Sequence, residues 1–430
     1  MKKKVVTLLL CLLFVTPVNA GTGADKTDRL IQLLIKKNII TDDEAKAIVE
    51  ELEEDDNTKA GTAVTDNNVK TSHQWKENID VKYDNGAVIK TIDKKYAIRL
   101  GARYHGLFSY ENPDNGTSYS TFRTRRARVI IDGNVMYPWL KYSAQLTLEG
   151  SGIAMRDAYI EASYYRWLTP RFGQYKVPFD REFLESGFTL QLIDRSIASS
   201  EFSIQRDVGL QISGKRIFGV FDYSAGMFNG SGANRNNADN DYIYAGRVVW
   251  SPTGSYPYRE SAVDNPSSPQ YALGLAGAYM PGLEPGERST LAGRLGSTSV
   301  MPVESDVTQW TVDFAFKYRG FSMMSGYHYR NIDPRTSTLF GKQDAWGFYL
   351  QGGYFIIPKH FEIAGRYAYV EPDNPVTLND NEERELTFGI NYYFNRHRVK
   401  TGLNYSLFTT KEAAGDEDEH TVKGSVVLQF

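Results

Sequence analysis

Residues 309–318 read Gln-Trp-Thr-Val-Asp-Phe-Ala-Phe-Lys-Tyr, and this stretch decides the fold. Large apolar residues recur at every second position from Trp310 to Tyr318, and polar or small residues stand between them. Alternation with a period of two is typical of a β-strand that has one apolar and one polar face. A tilted strand of roughly ten residues is long enough to cross a bilayer. We therefore predict a strand that faces hydrocarbon on one side and water on the other.

The same pattern recurs along the chain from Tyr96 to the C-terminus. We count sixteen predicted strands, over residues 96–110, 121–136, 139–149, 154–165, 168–176, 206–215, 218–229, 242–251, 270–281, 306–318, 321–331, 345–357, 360–371, 383–395, 398–409 and 419–430. Short turns such as Arg319-Gly320 alternate with long connections such as 177–205, with 252–269 as an exception. This arrangement is typical of bacterial outer-membrane barrels, in which both chain ends lie at the periplasmic rim. The predicted fold is all-β, a 16-stranded antiparallel transmembrane β-barrel over residues 73–430.

The composition agrees with a barrel. The chain has 28 Tyr, 22 Phe, 6 Trp and 37 Gly in 430 residues. Tyr and Trp collect at the two membrane–water interfaces of a barrel, where the ring contacts lipid and the polar tip contacts water. A closed sheet leaves no unpaired edge in lipid, and sixteen strands enclose a lumen too wide for side chains to fill. We expect a water-filled channel in the bacterial outer membrane, surrounded by lipid.

The first twenty residues are predicted to be a signal peptide. Lys2 to Lys4 precede a short apolar run over residues 5–15, and Val18-Asn19-Ala20 supplies the small residues of a cleavage site. The run is too short for a membrane span, and no later apolar stretch reaches the roughly 20 residues that a transmembrane helix needs. Cys11, the only cysteine, lies in this segment, so we expect no disulfide and no cysteine-based metal site.

Residues 21–72 are predicted to form a periplasmic helical segment followed by a linker. Thr41 and Glu44 form a capping box between two apolar stripes, and residues 57–72 are rich in Thr, Asn and Asp. Two interpretations stay open. The segment is either a small amphipathic appendage or a short coiled coil that joins subunits.

Charge and motifs exclude several classes of function. The 49 basic and 52 acidic residues give a net charge of −3, so ion preference has to come from local placement, and no nucleic-acid partner is expected. The six histidines show no metal-binding spacing, and we find no nucleophile with a base, no paired carboxylates and no phosphate loop. We therefore predict no catalytic residue, no metal and no cofactor. A barrel enzyme and a purely structural or adhesive barrel are the rivals to a channel.

Arginines on two neighbouring strands are predicted to line the lumen. Because Ile98, Leu100 and their alternate neighbours suit the lipid face, Arg99 and Arg103 point inward. On the next strand Arg126 and Arg128 do the same, and Lys141 on the third strand joins them. An arginine at the lipid midplane would cost roughly 2–4 kcal/mol, which favours the inward assignment. Such a cluster is what an oxyanion needs when it sheds water.

Several motifs resemble those of the phosphate-selective porin O and P family. They are Phe122-Arg123-Thr124-Arg125-Arg126-Ala127-Arg128, Arg156-Asp157-Ala158-Tyr159, Gly173-Gln174-Tyr175-Lys176-Val177-Pro178-Phe179, Asp194-Arg195-Ser196, Arg206-Asp207-Val208-Gly209, Met227-Phe228-Asn229-Gly230 and the terminal Phe430. The resemblance implies a homotrimeric porin for small hydrophilic solutes whose third extracellular loop, here 177–205, folds inward as the constriction. It also implies that Arg126 is the pore arginine and that Lys176, Arg195 and Arg206 lie near the constriction.

The solute stays open at the level of sequence. The loop 177–205 carries Asp180, Glu182, Glu185, Asp194 and Glu201 against Arg181 and Arg195, which argues against a strongly anion-selective filter. We therefore keep a channel that prefers anions, with phosphate or polyphosphate as candidates, beside a general porin or one for organic solutes such as oligosaccharides or aromatic acids. Tyr159 and Tyr175 are either a sugar-binding surface or wall packing.

Overall fold

A computed structural model describes residues 79–150, 152–237, 240–284, 303–336, 341–371, 382–412 and 415–430. The predicted signal peptide (1–20) and the helical segment with its linker (21–72) lie outside the described residues. The strands are β1 Ile79–Tyr83, β2 Ala87–Thr91, β3 Ala97–Pro113, β4 Tyr119–Asn134, β5 Leu140–Thr147, β6 Ala154–Ala162, β7 Thr169–Lys176, β8 Arg206–Ile217, β9 Phe221–Phe228, β10 Ile243–Trp250, β11 Gln270–Leu283, β12 Ser305–Tyr318, β13 Phe321–Pro334, β14 Gln343–Ile357, β15 Phe361–Glu371, β16 Glu383–Asn395, β17 Val399–Glu412 and β18 Gly415–Gln429. Two short helices, α1 Arg181–Leu184 and α2 Ile197–Phe202, lie between β7 and β8.

Strands β3 to β18 form a closed antiparallel barrel. Each pairs with the next along the chain, and β18 pairs back with β3, where Val427 stands opposite His105 and Gln429 opposite Arg103. The sixteen predicted strands correspond one to one with these elements, so the predicted barrel is confirmed. Closure bonds the backbone groups of every strand to a neighbour, which a sheet in lipid requires.

The hairpin of β1 and β2 is an addition that the sequence pattern did not predict. Strand β2 pairs with β3 between Ala87 and Lys90, just below the point where Phe430 exchanges backbone hydrogen bonds with Ala102. The hairpin therefore covers the part of the β3 edge that β18 does not reach. Gly86, at φ +135°, is required here because a Cβ would lie 2.3 Å from the Leu100 carbonyl oxygen.

The two faces of the barrel wall differ as the alternation predicted. On β12, Trp310 and Val312 are more than one third exposed on the outside, whereas Gln309, Thr311 and Asp313 are buried on the inside. Aromatic side chains also gather at the periplasmic turns, where Tyr137, Trp139, Tyr164, Tyr165 and Trp167 stand in one continuous series of ring contacts. In the described part of the chain, no helix combines the length and the apolar character that a membrane crossing demands.

The interior holds two segments besides the wall. The loop 177–205 runs inside the barrel, and its ends contribute Val177, Phe179 and Ile204 to an apolar cluster against β9 to β13. Helix α2 contributes Ala198 and Phe202 to a second cluster against β13, β14 and β15. The connection 251–269, from the periplasmic rim, also turns inward and buries Val263. The buried core therefore lies between these two segments and one half of the wall.

Candidate functional site

The loop 177–205 is held in shape by its own side chains. Asp180 caps α1 by accepting the Phe183 amide at 2.8 Å, and Ser196 caps α2 by accepting the Ser199 amide at 3.0 Å. The Glu182 carboxylate then joins the two helices, since it accepts the Ser196 amide at 2.9 Å and the Ser196 hydroxyl at 2.6 Å. Caps of this kind satisfy the free amides at a helix start. The loop is therefore a defined structure inside the barrel.

Polar contacts hold the loop against the wall formed by β12 to β17. Gln191 donates to Glu362 at 2.7 Å and to Ser322 at 3.0 Å, and its carbonyl accepts from Asn391 at 2.8 Å. The neighbouring Lys400 ammonium donates to the Leu190 carbonyl. This half of the lumen is consequently filled, and the free space lies on the opposite side, along β3 to β8.

The carboxylates of the loop are held in ion pairs and buried contacts. Glu201 pairs with Arg330 at 2.6 Å, and Glu182 lies 3.4 Å from a guanidinium nitrogen of Arg366 on the filled side. Asp194 bonds to Arg125 on β4 and lies 3.0 Å from the Lys423 ammonium on β18. Burial alone would raise the pKa of Asp194, but these two cations hold that pKa below its ordinary value. The loop's acidic composition is therefore taken up by ion pairs and buried contacts.

A cavity of about 330 Å³ remains between the loop and β3 to β8, and we call it the constriction cavity. Phe183, Leu184, Ser186, Gly187 and Arg195 line it from the loop. From the wall it is lined by Arg103, Arg126, Arg128, Gln145, Arg156, Asp157, Tyr159, Arg171, Tyr175, Lys176 and Arg206. Among these lining residues, seven arginines and one lysine stand against one carboxylate.

Arg126 on β4 joins the wall to the loop 177–205. Its guanidinium donates to the Gly187 carbonyl at 3.2 Å and lies 2.8 Å from Nδ1 of His105. A Cβ at position 187 would stand 2.8 Å from the Arg126 Nε, so a larger residue there would displace this guanidinium. Arg103 and Arg128 lie over the Phe188 ring, at 5.7 and 5.3 Å from its centre. The three predicted arginines thus converge on residues 187–188 of the loop.

Lys176 and Arg195 act on the loop backbone. The Lys176 ammonium donates to the carbonyls of Phe183, Leu184 and Glu185 at 2.7, 3.1 and 2.6 Å. Arg195 donates to the Glu182 and Glu185 carbonyls at 3.1 and 2.9 Å. Cations suit the free carbonyls at the end of a helix, here α1. Both residues line the cavity while holding the loop in place.

The remaining predicted residues are placed differently from one another. Arg206 lines the constriction cavity and pairs with Asp157. Arg99 lines a second cavity of about 500 Å³ at the periplasmic end, where it bonds to Asp132 and, at 3.0 Å, to the Asn85 carbonyl. Lys141 is exposed and lines neither cavity. Six of the eight predicted residues therefore surround one cavity.

The two cavities follow one another along the arginine side of the lumen. They share Arg103 and Ser186 among their lining residues. The periplasmic cavity is also lined by Arg259, Arg396 and Arg398, beside the hairpin residue Asn85. Positive side chains therefore line the passage from the constriction cavity to the periplasmic rim.

Two further arginines face the lumen, although a strict alternation of inward and outward residues would not place them there. His105 pairs with Arg126 and Gly106 with Thr124, so Arg125 is the extra residue of a β-bulge and bonds to Asp194 inside the barrel. In β6 the register likewise skips Arg156, which lines the constriction cavity beside Asp157. A bulge places two successive residues on one face. Sequence alternation alone could not assign them.

Tyr159 and Tyr175 lie in the wall of the cavity. Their rings meet edge to face at 5.8 Å, and the Arg171 guanidinium lies 4.4 Å from the Tyr159 ring centre. Tyr175 is 2 % exposed and contacts Phe228 in the apolar cluster. Tyr175 is thus wall packing, and Tyr159 supports the position of Arg171.

The arrangement presents a row of guanidinium groups to a water-filled passage. Guanidinium carries fixed positive charge and planar donors that match carboxylate and phosphate oxygens. In the described residues, no group of His, Cys, Asp and Glu has a geometry suited to a metal ion.

Comparison with known families decides the identity. The family described as "Phosphate-selective porin O and P" matches residues 98–430, which is most of the barrel. The chain belongs to the phosphate-selective porin O and P family. The resemblance drawn from the motifs is therefore confirmed, and this porin is an outer-membrane channel of the bacterial cell.

Known relatives of this porin are distant in sequence. An uncharacterized protein of Aquifex aeolicus is 22% identical over 441 residues, with 97% of each chain covered. The anion-selective porin from Comamonas acidovorans is 14% identical, with a TM-score of 0.55 over 78% of this chain and all of that one. Pseudomonas putida OprB is 11% identical, with a TM-score of 0.53 over 79% of this chain and 95% of that one. At such identities the likeness shows the fold alone.

Proposed function

We propose that the constriction cavity is the selectivity filter of a passive channel that prefers small anions. The observation that carries the proposal is the charge of the cavity lining, in which seven arginines and Lys176 stand against Asp157 alone. A narrow passage lined by one sign of charge concentrates the opposite ion and lowers its barrier to crossing. The anion selectivity named for the Comamonas acidovorans relative agrees with this assignment.

The position of the loop's acids supports the proposal. A porin with an arginine wall facing an acidic loop has a transverse field and only mild selectivity. Here the loop residues that line the cavity are Phe183, Leu184, Ser186, Gly187 and Arg195, so the loop adds positive charge to the passage. The loop acids that the sequence argument counted do not line the cavity, which supports anion preference.

Phosphate is the narrower form of the proposal. Arginine binds oxyanions through two parallel hydrogen bonds to two oxygens, whereas a halide offers only a single acceptor atom. A cluster such as Arg126, Arg128 and Arg156 therefore favours phosphate or another oxyanion over chloride. The alternative is a porin for general or organic solutes that does not discriminate among anions, and we infer that in either case solutes cross without chemical change.

Single-channel recording in planar bilayers tests the proposal. The reversal potential in a salt gradient gives the ratio of anion to cation permeability, and we expect it to favour the anion. Added millimolar phosphate should block chloride current if the oxyanion site exists. A reversal potential that favours cations overturns anion preference. A reversal potential that favours anions, without block by phosphate, supports a general anion channel and rejects phosphate selectivity.

We further propose that the porin assembles as a homotrimer. The outer face carries a hollow of about 850 Å³ at the junction of β16, β17, β18, β3 and β4. Tyr104, Phe108, Ile390, Leu403 and Val426 line it. The outer wall is apolar because it faces lipid, so the hollow's shape is what matters: side chains of a second copy can fill it by van der Waals packing. Chemical cross-linking in outer-membrane vesicles should yield dimer and trimer bands, and a monomer at every cross-linker concentration would contradict the proposal.

A further inference from the structure

The connection between β10 and β11 is long on a rim where the other turns are short. Residues 251–269 leave that rim and enter the lumen, where Glu260, Ser261, Ala262 and Val263 are at most 5 % exposed. A surface connection of this length would stay in solvent, because a buried loop has to satisfy its backbone and side-chain polar groups. The burial of four successive residues indicates a structural task inside the barrel.

Glu260 contacts the constriction loop directly. Its Oε2 accepts the Gln191 backbone amide at 2.5 Å and the Gln351 side-chain amide at 3.0 Å. The Gln351 amide lies also 3.1 Å from the Gln191 side-chain oxygen. One carboxylate thus joins the loop 177–205 to β14, and a hydrogen bond to a carboxylate is worth more than one between neutral groups.

A second contact lies at the start of the loop. The Arg181 guanidinium is 4.8 Å from the Tyr256 ring centre and 5.0 Å from that of Tyr258. Arg181 is 1 % exposed, and the same guanidinium lies 3.7 Å from Asp313. Aromatic rings over a desolvated cation stabilise it.

The segment has its own anchorage in the wall. Val263 packs with Phe355 and Tyr393, and the Ser261 hydroxyl lies 3.2 Å from Nε2 of His397. The Pro266 carbonyl accepts the Arg319 amide at 3.0 Å. From β10 to the turn between β16 and β17, the segment therefore crosses the same half of the lumen that the loop 177–205 occupies.

We propose that residues 251–269 form a strap that holds the loop 177–205 against β12 to β17 and thereby sets the bore of the channel, with Glu260 as its positioning residue. The wall behind the loop carries buried charges of both signs: the carboxylates of Asp313, Glu362 and Glu385, and the cations of Lys317, Arg330, Arg366 and Lys400. A loop that leaves this wall opens a second route of mixed charge beside the arginine route. The strap therefore controls both conductance and selectivity, and its effect on conductance does not depend on which ion the channel prefers.

The variant Glu260→Ala tests the strap, with Asp264→Ala as the matched control. Asp264 lies in the same segment but pairs with Arg259 and Arg396 at the exposed rim, away from the loop. In Glu260→Ala we expect a noisy, higher-conductance level whose occupancy rises about tenfold, the ratio expected from losing a hydrogen bond to a charged group. The anion-to-cation permeability ratio falls in the same level, because the second route carries charges of both signs. Equal conductance and noise in Glu260→Ala, Asp264→Ala and the wild type would overturn the strap.

A labelling experiment measures the same motion without relying on conductance. Thr387 on β16 is 1 % exposed behind the loop, and Cys11 is the only cysteine of the chain. In a Cys11→Ser background, Thr387→Cys should resist a charged, membrane-impermeant thiol reagent, and adding Glu260→Ala should make it reactive. If the added variant leaves Thr387→Cys protected, the strap does not hold the loop.

Two further measurements keep the inference separate from other failures. Heat-modifiable migration in gels reports whether each variant has formed a barrel. If Glu260→Ala does not form a barrel, Gln351→Ala takes its place, because it removes one of the two hydrogen-bond donors to Glu260. It must then give a smaller increase in the noisy, higher-conductance level. A cation-favouring reversal potential in the wild type would reject anion preference while leaving the conductance test of the strap intact.

Discussion

Arg206 on β8 and Asp157 on β6 form a two-point ion pair across β7, with Nε to Oδ1 at 2.9 Å and Nη2 to Oδ2 at 3.2 Å. The pair neutralises the one carboxylate among the described residues that line the constriction cavity. It also holds Arg206 against the wall, so that the neighbouring arginines present the net charge of the passage. The ion pair therefore tempers the positive potential of the cavity.

Replacing Asp157 with Asn should raise anion preference. The change frees the charge of Arg206, and one unit charge contributes about 1 kcal/mol at 4 Å even in water, or about fivefold in a permeability ratio. Reversal potentials measure the effect. Asp333→Asn, which removes an exposed ion pair with Lys342, is the control and should leave the ratio unchanged. An unaltered ratio in Asp157→Asn as well would separate the cavity from selectivity.

Neutralising Arg126 and Arg128 together, as Gln, should lower anion preference while the barrel still forms. Two fixed charges leave the cavity, so we expect a fall of about tenfold or more, on the same Coulomb reasoning. Lys141→Gln is the control, because Lys141 is a strand cation that lines neither cavity. If the double variant and Lys141→Gln behave alike, the arginines take no part in selection.

Lys176→Met should loosen the start of the constriction loop. Three carbonyls lose a charged donor, and loss of even one such hydrogen bond costs about 1.5–3 kcal/mol. We expect current fluctuations and protease cleavage within residues 177–205 of the folded barrel. Lys411→Met, which alters an exposed cation paired with Glu382, should show neither. Quiet, protease-resistant channels from Lys176→Met would show that the carbonyl contacts are dispensable.

Gly353→Ala should displace Gln191. A Cβ at this inward position of β14 would lie 2.0 Å from the Gln191 Nε2, so the side chain has to leave its contacts with Glu362 and Ser322. Overpacking of this kind costs about 1–3 kcal/mol. Single-channel conductance should rise. Gly424→Ala, where a Cβ meets no atom within 4 Å, serves for comparison and should conduct as the wild type does.

The loop should also respond to pH through Glu185. Burial, reinforced by the nearby Glu260 carboxylate, raises the pKa of Glu185 from 4.5 to about 8, while Arg181, Lys317 and Lys176 oppose the rise. Because the packed loop favours the neutral form, its stability is fully present below pH 4.5 and declines as the pH rises towards about 8. Current noise should therefore increase between about pH 5 and pH 8. Burial also raises the pKa of Glu182 in the same loop to about 8, so Glu185→Gln should reduce that dependence without abolishing it. Noise that rises with pH as steeply in this variant as in the wild type would assign the dependence to other groups.

Sequence alternation was sufficient for the barrel because each strand has a different solvent on each side. A period of two over eight or more residues, repeated sixteen times, specifies strand positions and faces. The β1–β2 hairpin was not predicted from the sequence because its strands have only five residues. Strand β1 also has no face in contact with lipid that would impose alternation, since Val81 and Tyr83 are both largely exposed. Short strands outside the bilayer carry little of the signal that made the others predictable.

The site was predictable only as far as the wall is regular. Arg103, Arg126 and Arg128 follow from alternation, but Arg125 and Arg156 occupy bulges, which break it. The orientation of the loop's acids depends on long-range partners such as Arg330 and Arg366, which sequence spacing does not reveal. The inward path of residues 251–269 was visible only as an anomalous length.

Because half of the lumen is filled, the number of strands sets the circumference of the barrel but not the size of the passage. Sixteen strands set the circumference of the wall, yet the passage is only the crescent that the inner segments leave beside β3 to β8. Substitutions in those segments can widen or narrow this crescent while the hydrogen-bonded cylinder in the lipid stays the same. Relatives that share the barrel can therefore differ widely in the solutes that they admit. Permeability depends on the inner segments, whereas membrane insertion depends on the wall.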